Sequence, residues 1–595
     1  MNIKERISAL RAQMSNNNCD AVLFLTGDPH QNEYLPDFYK SRAWISGFTG
    51  SAGTVVITKD HAGLWTDARY FLQADQQLAD SGVELHKLQV QGAPEYGTWL
   101  VENLPTGASV CVDGNTISIG AAEELRSIFD PKKINLELEQ DPVADIWTDR
   151  VGQGAEPIFE HPEGVAGLSR VTKIMKLRAE MKSLDVDYYL VTALDDTGWL
   201  LNLRGSDIAC NPVFLSYTLI TPTEVILFVD YSRIPSELIK SLQGDGISML
   251  PYNSISEHLL SLPKEAHILV NPGSLSANLA NSLAHTHILK GASPIMVAKS
   301  IKNEIEQAWI RKVMVKDGIA LTRFFKWLEN ELAHGHEMTE YDLTFELIRF
   351  RKQQPGYVGE SFDAIIGYKG NGAIIHYKPE QETAATIRPT GVLLVDSGGQ
   401  YIDGTTDTTR TITLGDPTEE ERLAYTLVLQ GHIGVATAVF PQGTKGIQLD
   451  TLARLPLWKR GMNYLHGTGH GVGFFMNVHE PPQGIVNTLA ERGVTLHRPG
   501  QLTSNEPGFY KKDAFGIRIE NLILCNEAME TEYGHFYNFE TVTLCYIDKS
   551  LIIKDLLSKE EIQWLDLYHE QVLAKLSIGL NQEEISWLRD KCNPL

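Results

Sequence analysis

The sequence predicts two related α/β domains followed by a larger α+β domain, and three features of the chain indicate this. Its 595 residues exceed what one hydrophobic core usually holds, since about 150 residues per domain is typical. An alternation of strand-like and helical runs occurs twice in the first half. Beyond it, long helical patterns give way to strands interleaved with His, Asp and Glu. We therefore expect domains at 1–151, 152–298 and 299–595.

The first domain is predicted from short apolar runs that alternate with amphipathic ones. Strands are expected at Ala21 to Leu25, Gly53 to Ile57 and Ser109 to Val112. The opening residues MNIKERISALRAQM have the pattern of an amphipathic helix, not of a basic segment followed by an apolar run, so no secretory signal is visible. Residues 152–167, which are rich in Gly, Glu and Pro, are expected to link the first domain to the second.

The second domain is predicted from a repeat of the first. Around Trp44 the chain has AWISGFTGSAGTVVITKDHAGLWTDARY, and from Gly198 it has GWLLNLRGSD and then FLSYTLITPTEVILFVDYSR. Both stretches place an aromatic residue and a glycine turn before a hydrophobic hairpin that ends in Asp-x-Arg or Asp-x-x-Arg. Such internal similarity predicts two related domains.

The third domain begins near Val297 with a long helical pattern, KNEIEQAWIRKVMVKDGIALTRFFKWLENELAHG. Its last segment, Ser558 to Cys592, is predicted to be an amphipathic helix that serves for packing. The expected buried face of that helix contains Trp564, Leu565, Tyr568, Val572, Leu573 and Leu576.

Composition excludes several classes of protein. Lys and Arg total 52 against 75 Asp and Glu, a net charge of -23 without a clustered basic face, so we expect no nucleic-acid partner. Nowhere do about 18 apolar residues follow one another, so no membrane span is expected. The six cysteines are scattered without a CxxC pair, which favours reduced thiols and a cytoplasmic location. Any bound metal must therefore use oxygen and imidazole ligands.

Five candidate metal ligands stand at the ends of strand-like runs or beside glycine turns. They are Asp396 in VLLVDSGGQY, Asp407 in GTTDTTRTI, His470 in HGTGHGVG, Glu506 in TSNEPGFY and Glu520 in GIRIENLIL. The first two are 11 residues apart, a separation that suits two antiparallel strands joined by a short turn, and the two glutamates, 14 apart, permit the same arrangement.

The charge of this set predicts two divalent cations. Four carboxylates on apolar strands repel one another unless cations neutralise them, and two divalent ions balance four negative charges. Oxygen-rich ligation with a single imidazole favours Mn²⁺, with Co²⁺ or Zn²⁺ as alternatives.

On these residues the C-terminal half resembles the pita-bread metallopeptidases, which include methionine aminopeptidase, prolidase and Xaa-Pro aminopeptidase and whose ligands follow the order Asp, Asp, His, Glu, Glu. The resemblance implies that Asp396 binds the first metal and that Asp407 and Glu520 bridge both metals. It also implies that His470 and Glu506 bind the second metal. Glu506 is expected to act as proton acceptor while it remains a ligand.

Three further histidines resemble the substrate-binding and proton-shuttling set of the proline-directed members. They are His376 in SFDAIIGYKGNGAIIHYKP, His466 in HGTGH and His479 in VHEPP. A histidine near a metal can donate a hydrogen bond to the peptide carbonyl or protonate the departing amine, because its pKa lies close to neutral pH. Arg518 resembles a residue that supports the metal carboxylates from behind and borders the substrate.

The resemblance extends over the N-terminal half. SGFTGSAG, LWTDARYFLQAD and IWTDR are similar to the three-domain Xaa-Pro aminopeptidases, in which two creatinase-like domains precede a pita-bread domain with a C-terminal helical extension. It implies that Glu33 and Arg69 contribute to a wall that closes over the substrate, and that Trp458 lies in a homodimer contact. The alternatives are a surface ion pair and a core aromatic residue.

The implied reaction is hydrolysis, by a metal-bridged hydroxide, of the bond between an N-terminal residue and a following proline. Its partners are peptides with proline at the second position. Prolidase, which cleaves Xaa-Pro dipeptides, is the first alternative, and the two-domain N-terminal half favours the aminopeptidase over it. A non-catalytic pita-bread protein that binds peptides is the second, and the presence of all five ligands opposes it.

Overall fold

The computed structural model describes residues 1–88, 95–139, 141–152 and 156–595. The chain forms two compact units. The first comprises residues 1–162 and 168–296, and the second comprises residues 163–167 and 297–595. Among the described residues, the search for a helix long and apolar enough to cross a membrane finds none.

The first unit contains two six-stranded mixed sheets with the same strand order and pairing directions. One has the order Glu84–Lys87, Ala62–Thr66, Thr54–Thr58, Ala21–Phe24, Ser109–Asp113 and Asn135–Glu139. The other has the order Ile247–Leu250, Val225–Phe228, Tyr217–Ile220, Tyr188–Val191, His267–Val270 and His287–Lys290. In each sheet the second and third strands of this order form an antiparallel hairpin, the third and fourth are also antiparallel, and the fourth and fifth are parallel. The hairpins are those that the repeated pattern predicts.

Helices flank these two sheets. They span Ile3–Asn16, Ser41–Ser46, Phe71–Gln77, Tyr96–Asn103, Ile119–Phe129, Arg170–Ser183, Leu194–Leu201, Ser236–Gly244, Ile255–Leu260 and Ala277–Asn281. The first helix begins where the sequence predicts, because the Asn2 side chain accepts a hydrogen bond from the Glu5 amide and the Glu5 side chain accepts one from the Asn2 amide. It buries Ile7, Leu10 and Met14.

The segment expected as a linker, 152–167, lies partly outside the described residues, at 153–155. Its described part contains the short strand Phe159–Glu160, paired with Leu203–Arg204, and the one-turn helix Glu163–Ala166.

Cys19 and Cys111 form a disulfide, with Cα atoms 6.2 Å apart. The expectation that all six cysteines are reduced is therefore wrong for this pair. The sequence hides the proximity because 92 residues separate the two. Strand Ala21–Phe24 begins just after Cys19 and pairs in parallel with the strand that carries Cys111, which brings them together. Cys525, Cys545 and Cys592 are buried and lie outside this disulfide.

The second unit is α+β, with its strands arranged in several small antiparallel sheets. The largest has the order Val439–Pro441, Gly534–Thr541, Asn521–Thr531, Leu502–Asn505, Gly469–Gly471 and Glu480–Ile485. Two further sheets have three strands each. One has the order Ile365–Tyr368, Val392–Ser397 and Thr408–Thr413. The other has the order Tyr357–Glu360, Gly399–Tyr401 and Gly404–Thr405. A hairpin joins Gly508–Lys511 to Phe515–Arg518.

The helices of the second unit pack on these sheets. They span Glu304–Ala333, Glu340–Arg351, Glu419–Ala436, Gly446–Trp458, Glu491–Val494, Lys559–Leu576 and Gln582–Cys592, and Pro294–Ser300 lies at the junction of the units. The C-terminal segment, predicted as one helix, forms two, because the Asn581 side chain caps a new helix at the Glu584 amide. Leu565, Tyr568, Val572 and Leu576 are buried as expected.

Candidate active site

The first two predicted ligands lie on neighbouring antiparallel strands. Asp396 belongs to Val392–Ser397, where it faces Thr409 of the next strand, and Asp407 immediately precedes that strand. Between them the chain folds out into the short strands Gly399–Tyr401 and Gly404–Thr405, so the connection is itself a hairpin. Both aspartates are buried. The antiparallel arrangement predicted for this pair is present.

The two glutamates flank a second antiparallel pair. Glu506 directly follows Leu502–Asn505, and Glu520 directly precedes Asn521–Thr531, whose first residue pairs with Asn505. The Glu520 amide donates to the Thr409 carbonyl at 3.1 Å, which joins this pair of strands to the sheet that carries the aspartates. Backbone pairing therefore brings segments that are over 100 residues apart to one place.

His470 lies on the short strand Gly469–Gly471 and is held from both sides. Its backbone amide donates to Ser504 Oγ at 2.9 Å, and its Nδ1 lies 2.9 Å from the Gly471 carbonyl oxygen. A carbonyl can only accept, so Nδ1 donates its hydrogen here, and Nε2 is the ring nitrogen that can coordinate a cation when the imidazole is neutral. Gly469 permits this approach, because a Cβ there would lie 1.9 Å from the Ser504 carbonyl oxygen.

The Nε2 atom of His470 faces negative charge. It lies 3.4 Å from Asp407 Oδ2 and 3.6 Å from Glu506 Oε1. Asp407, His470 and Glu520 each offer a ligand atom within 4.8 Å of the others. Several carboxylate oxygens directed at one small volume repel one another, and a bound cation relieves that repulsion.

The pKa values of the carboxylates record the same repulsion. Burial, together with the charges of Asp396 and Glu506, raises the pKa of Asp407 well above its ordinary value. Burial and the charges of Asp407 and Asp396 likewise raise the pKa of Glu520. The cluster therefore holds more negative charge than its own surroundings neutralise.

Arg518 is a positive group in direct contact with the cluster. It is buried, and its Nη2 donates to Asp396 Oδ2 at 2.6 Å while Nε donates to Thr409 Oγ1 at 3.1 Å. Thr409 Oγ1 in turn donates to Glu520 Oε2 at 2.7 Å. The second carboxylate oxygen of Asp396, Oδ1, is buried without a hydrogen-bond partner among the described residues. An orphaned carboxylate oxygen in this position has the chemistry of a metal ligand.

The three additional histidines differ in their surroundings. His466 Nδ1 lies 2.7 Å from the Gly467 carbonyl, and its Nε2 lies 2.9 Å from the Tyr510 hydroxyl. His479 packs against His470, with ring centroids 4.4 Å apart. His376 follows Ile375, whose carbonyl oxygen lies 3.4 Å from Arg518 Nη2. The structure thus brings His466 and His479 into contact with residues of the site and places the His376 backbone beside it.

Several residues that sequence reasoning missed support the site. Tyr510 accepts from Arg518 Nη1 at 2.6 Å and so connects that guanidinium to His466. Arg454, fully buried, donates to the His466 carbonyl at 2.7 Å and fixes the loop that carries it. Tyr510 is the last residue of the TSNEPGFY motif that supplies Glu506, so its proximity to that ligand was a signal. Arg454 lies outside every ligand motif and gave no such signal.

Glu33 and Arg69 belong to the first unit. Arg69 forms a bidentate salt bridge with Asp67, at 2.8 Å to Oδ1 and 2.7 Å to Oδ2. This contact with Asp67, together with the charge of Glu33, raises the pKa of Arg69 although burial opposes the rise. Their assignment to a wall over the substrate stays a prediction. Trp458 is 46% exposed, with its indole nitrogen donating to Asn463 Oδ1 at 3.1 Å, so it is not a core residue.

Family models match nearly the whole chain. Two creatinase/prolidase N-terminal domain models match residues 6–139 and 149–306. The model of metallopeptidase family M24 matches residues 308–527, and the model of its C-terminal region matches residues 535–595.

Individual relatives cover the chain from end to end. Xaa-Pro aminopeptidase 1 of Dictyostelium discoideum is 39% identical to this chain, and the match covers 100% of this chain and 97% of the relative. A Laccaria bicolor protein named "Probable Xaa-Pro aminopeptidase P" is 41% identical over 100% of this chain and 94% of its own. The crystal structure of the X-prolyl aminopeptidase from Caenorhabditis elegans, a cytosolic enzyme with a di-nuclear active site, superimposes with a TM-score of 0.96 at 34% identity, covering 100% of both chains.

These matches confirm the predicted order of two creatinase-like domains and a pita-bread domain. They also confirm that the chain is an enzyme and oppose the non-catalytic alternative. The chain belongs to metallopeptidase family M24 and, within it, to the Xaa-Pro aminopeptidases.

Proposed function

We propose that this chain removes the N-terminal residue from peptides with proline at the second position and that it uses two divalent ions to do so. The observation that carries the proposal is His470 Nε2 directed at Asp407 and Glu506 in a buried carboxylate cluster. The relative from Caenorhabditis elegans has a di-nuclear active site, which supports the number of ions.

The ligands of the two ions are proposed to be Asp396, Asp407, His470, Glu506 and Glu520. Asp396 holds the first ion through its orphaned Oδ1, while Arg518 occupies Oδ2. Asp407 and Glu520 would be shared by the two ions, and His470 and Glu506 would hold the second ion. The donor set is rich in oxygen with one imidazole, which favours Mn²⁺ over softer ions, with Co²⁺ and Zn²⁺ as alternatives. When bound, such ions supply a nucleophile from water at neutral pH and polarise the scissile carbonyl.

The protein's own residues perform the proton transfers. Glu506 is a suitable proton acceptor, because its side chain is only 19% exposed and its Oε1 lies 3.3 Å from the Ser504 hydroxyl, which orients it. His466 and His479 are proposed to stabilise the developing oxyanion and to deliver a proton to the prolyl nitrogen. An amine is a poor leaving group unless it is protonated, so this proton delivery makes the rate depend on these histidines.

Proline at the second position explains why a dedicated enzyme is needed. The bond before proline is a tertiary amide without an N–H group, and the ring fixes the backbone. A peptidase that recognises an extended strand by its N–H groups cannot bind such a substrate productively. His376 is proposed to bind the substrate beside the metal centre, with Arg518, Glu33 and Arg69 bordering it.

The experiment that tests this function removes metals with a chelator and restores Mn²⁺, Co²⁺ or Zn²⁺ separately. Release of the first residue is followed from an Arg-Pro-Pro type peptide and from an Xaa-Pro dipeptide. Metal-restored cleavage of the longer peptide supports the proposal, and the most effective metal tests the preference for Mn²⁺. Cleavage of the dipeptide alone would make the enzyme a prolidase. No cleavage with any metal, by protein that circular dichroism shows to be folded, would overturn the proposal.

We also infer that the enzyme is a homodimer through its catalytic unit. The helix Gly446–Trp458 exposes Leu452, Leu455 and Trp458, and Leu465 beyond it is 64% exposed. Neighbouring exposed apolar side chains of this size mark interaction surfaces. A cytoplasmic location is proposed as well, by analogy with the cytosolic relative from Caenorhabditis elegans.

A further inference from the structure

Two histidines and a glutamate meet at the edge of the first sheet, in the first unit. His61 lies in the turn between strands Thr54–Thr58 and Ala62–Thr66, and Glu84 and His86 lie on the edge strand Glu84–Lys87. Each residue offers one ligand atom, and the three atoms lie within 4.8 Å of one another. The proposed catalytic centre uses none of these residues.

The distance between the imidazoles suits a shared metal ion. His61 Nε2 and His86 Nε2 are 3.2 Å apart. Two nitrogens bound to one tetrahedral Zn²⁺ at about 2.05 Å each lie about 3.4 Å apart. Glu84 adds a carboxylate whose Oε2 lies 3.9 Å from His61 Nδ1, and because its side chain is 69% exposed it can rotate toward a cation at the two Nε2 atoms without breaking a buried contact.

The two Nε2 atoms face each other, so both can coordinate one cation when the imidazoles are neutral. Neutral imidazoles bind transition metals, whereas protonated ones do not. The guanidinium of Arg11 is occupied by the carbonyls of Thr58 and His61, at 2.9 and 3.0 Å.

The rings are held in place by aromatic neighbours. Trp65 stacks on His86 with centroids 3.9 Å apart and planes 6° apart, and Trp99 lies 4.6 Å from the His61 ring. Gly63 leaves the space that both rings occupy, because a Cβ there would lie 2.5 Å from His61 Nε2 and 2.9 Å from His86 Cδ2. Ligands fixed by packing lose little freedom when they bind a metal.

We propose that His61, Glu84 and His86 bind a transition-metal ion of the Zn²⁺ class at a site separate from the catalytic centre. Two imidazoles and one carboxylate with water in the fourth position form a known zinc ligand set. The ion would tie the turn at His61 to the edge strand, which otherwise exposes unpaired backbone groups.

A matched pair of histidines in the second sheet provides the control. His267 and His287 face each other on neighbouring strands, with ring centroids 5.2 Å apart. They form no three-ligand group in the part of the chain that the structure describes. Replacing both removes two surface imidazoles without touching the proposed site.

The test compares tag-free wild type, His86→Phe, Gly63→Ala and the double variant His267→Ala/His287→Ala. His86→Phe keeps an aromatic ring against Trp65 but removes the ligand. Each protein is equilibrated with Zn²⁺, desalted and analysed for metal by mass spectrometry, with affinity measured by competition against a chelating dye. Tryptophan fluorescence reports the site directly, because two indoles contact the rings.

We expect wild type and the His267→Ala/His287→Ala double variant each to retain one Zn²⁺ per protein more than His86→Phe. Tryptophan fluorescence should change on zinc binding in wild type and in the double variant, but not in His86→Phe. We expect the affinity of this site to fall at least about tenfold in His86→Phe and in Gly63→Ala. Peptidase activity with Mn²⁺ should be unchanged in His86→Phe. Equal zinc content and equal fluorescence response in wild type and His86→Phe would overturn the proposal and leave a hydrogen-bonded histidine pair.

Discussion

Arg518 donates a hydrogen bond to Asp396 at 2.6 Å and is the cation that directly supports the carboxylate cluster. Burial alone would lower the pKa of Arg518. The charges of Tyr510 and Asp396 instead hold this pKa well above its ordinary value, so the guanidinium stays charged. The pair leaves Asp396 Oδ1 without a partner among the described residues, so that oxygen is available to a cation.

Removal of this cation should destabilise the protein. Arg518→Met leaves Asp396 buried and unpaired, so we expect the free energy of unfolding to fall by about 3 to 5 kcal/mol. Urea unfolding of the two proteins measures the difference. Arg388→Met, which breaks an exposed pair with Glu337, should cost less than about 1 kcal/mol. Equal effects of the two substitutions would contradict a special role for Arg518.

Asp407→Ala should abolish both metal binding and activity, since Asp407 is the proposed bridge between the ions. Metal content after desalting and cleavage of an Xaa-Pro-Pro peptide are the two measurements. Asp416→Ala serves as the control, because Asp416 is exposed just beyond the other end of the same strand. A fully metallated and fully active Asp407→Ala enzyme would refute the ligand assignment.

His479→Ala should leave the metal content intact while lowering kcat. General acid catalysis contributes about 10²- to 10⁴-fold, so a loss in that range is expected, with a smaller change in KM. Steady-state kinetics and metal analysis on the same preparation separate the two effects. His535→Ala, an exposed histidine, is the control. Loss of metal in His479→Ala would mean that His479 acts structurally on His470.

Acid should destabilise the catalytic unit through His569. Burial, with the nearby Lys549 and Arg410, lowers its pKa from 6.5 to about 3, and its Nε2 accepts from the Ile547 amide at 3.0 Å. The folded state therefore binds fewer protons than the unfolded one below about pH 6.5, and stability is lost as pH falls from there toward the folded pKa.

In His569→Gln, which keeps an acceptor but does not titrate, the free energy of unfolding should depend less on pH between about 6.5 and 4. Urea unfolding at several pH values measures this dependence. His535→Gln should retain the wild-type dependence. An unchanged pH dependence in His569→Gln would show that other groups dominate acid unfolding.

Trp458→Asp should convert the proposed dimer to a monomer, because a carboxylate cannot be buried in an apolar contact without a partner. Light scattering of wild type and variant at equal concentration measures the mass. Tyr533→Asp, at a residue 81% exposed on a hairpin, should not change it. A monomeric wild type would remove the dimer proposal altogether.

The sequence by itself determined the order of the domains and the identity of the candidate ligands. Strand-ending carboxylates and a glycine-flanked histidine are local patterns, as are the repeated hairpins, so each is visible in a short stretch of chain. The helix starts at Asn2 and Asn303 are local for the same reason, since a capping box involves only four residues. The comparisons with relatives agree with the family that these patterns indicated.

Only the tertiary structure decided which residues support the ligands and which distant residues meet. Tyr510 matters because strand pairing brings it between Arg518 and His466, and Arg454 matters because its helix packs beneath the His466 loop. The Cys19–Cys111 disulfide and the His61–His86 pair arise in the same way, from strand neighbours that are distant in sequence. Such contacts depend on sheet order, which no local pattern encodes.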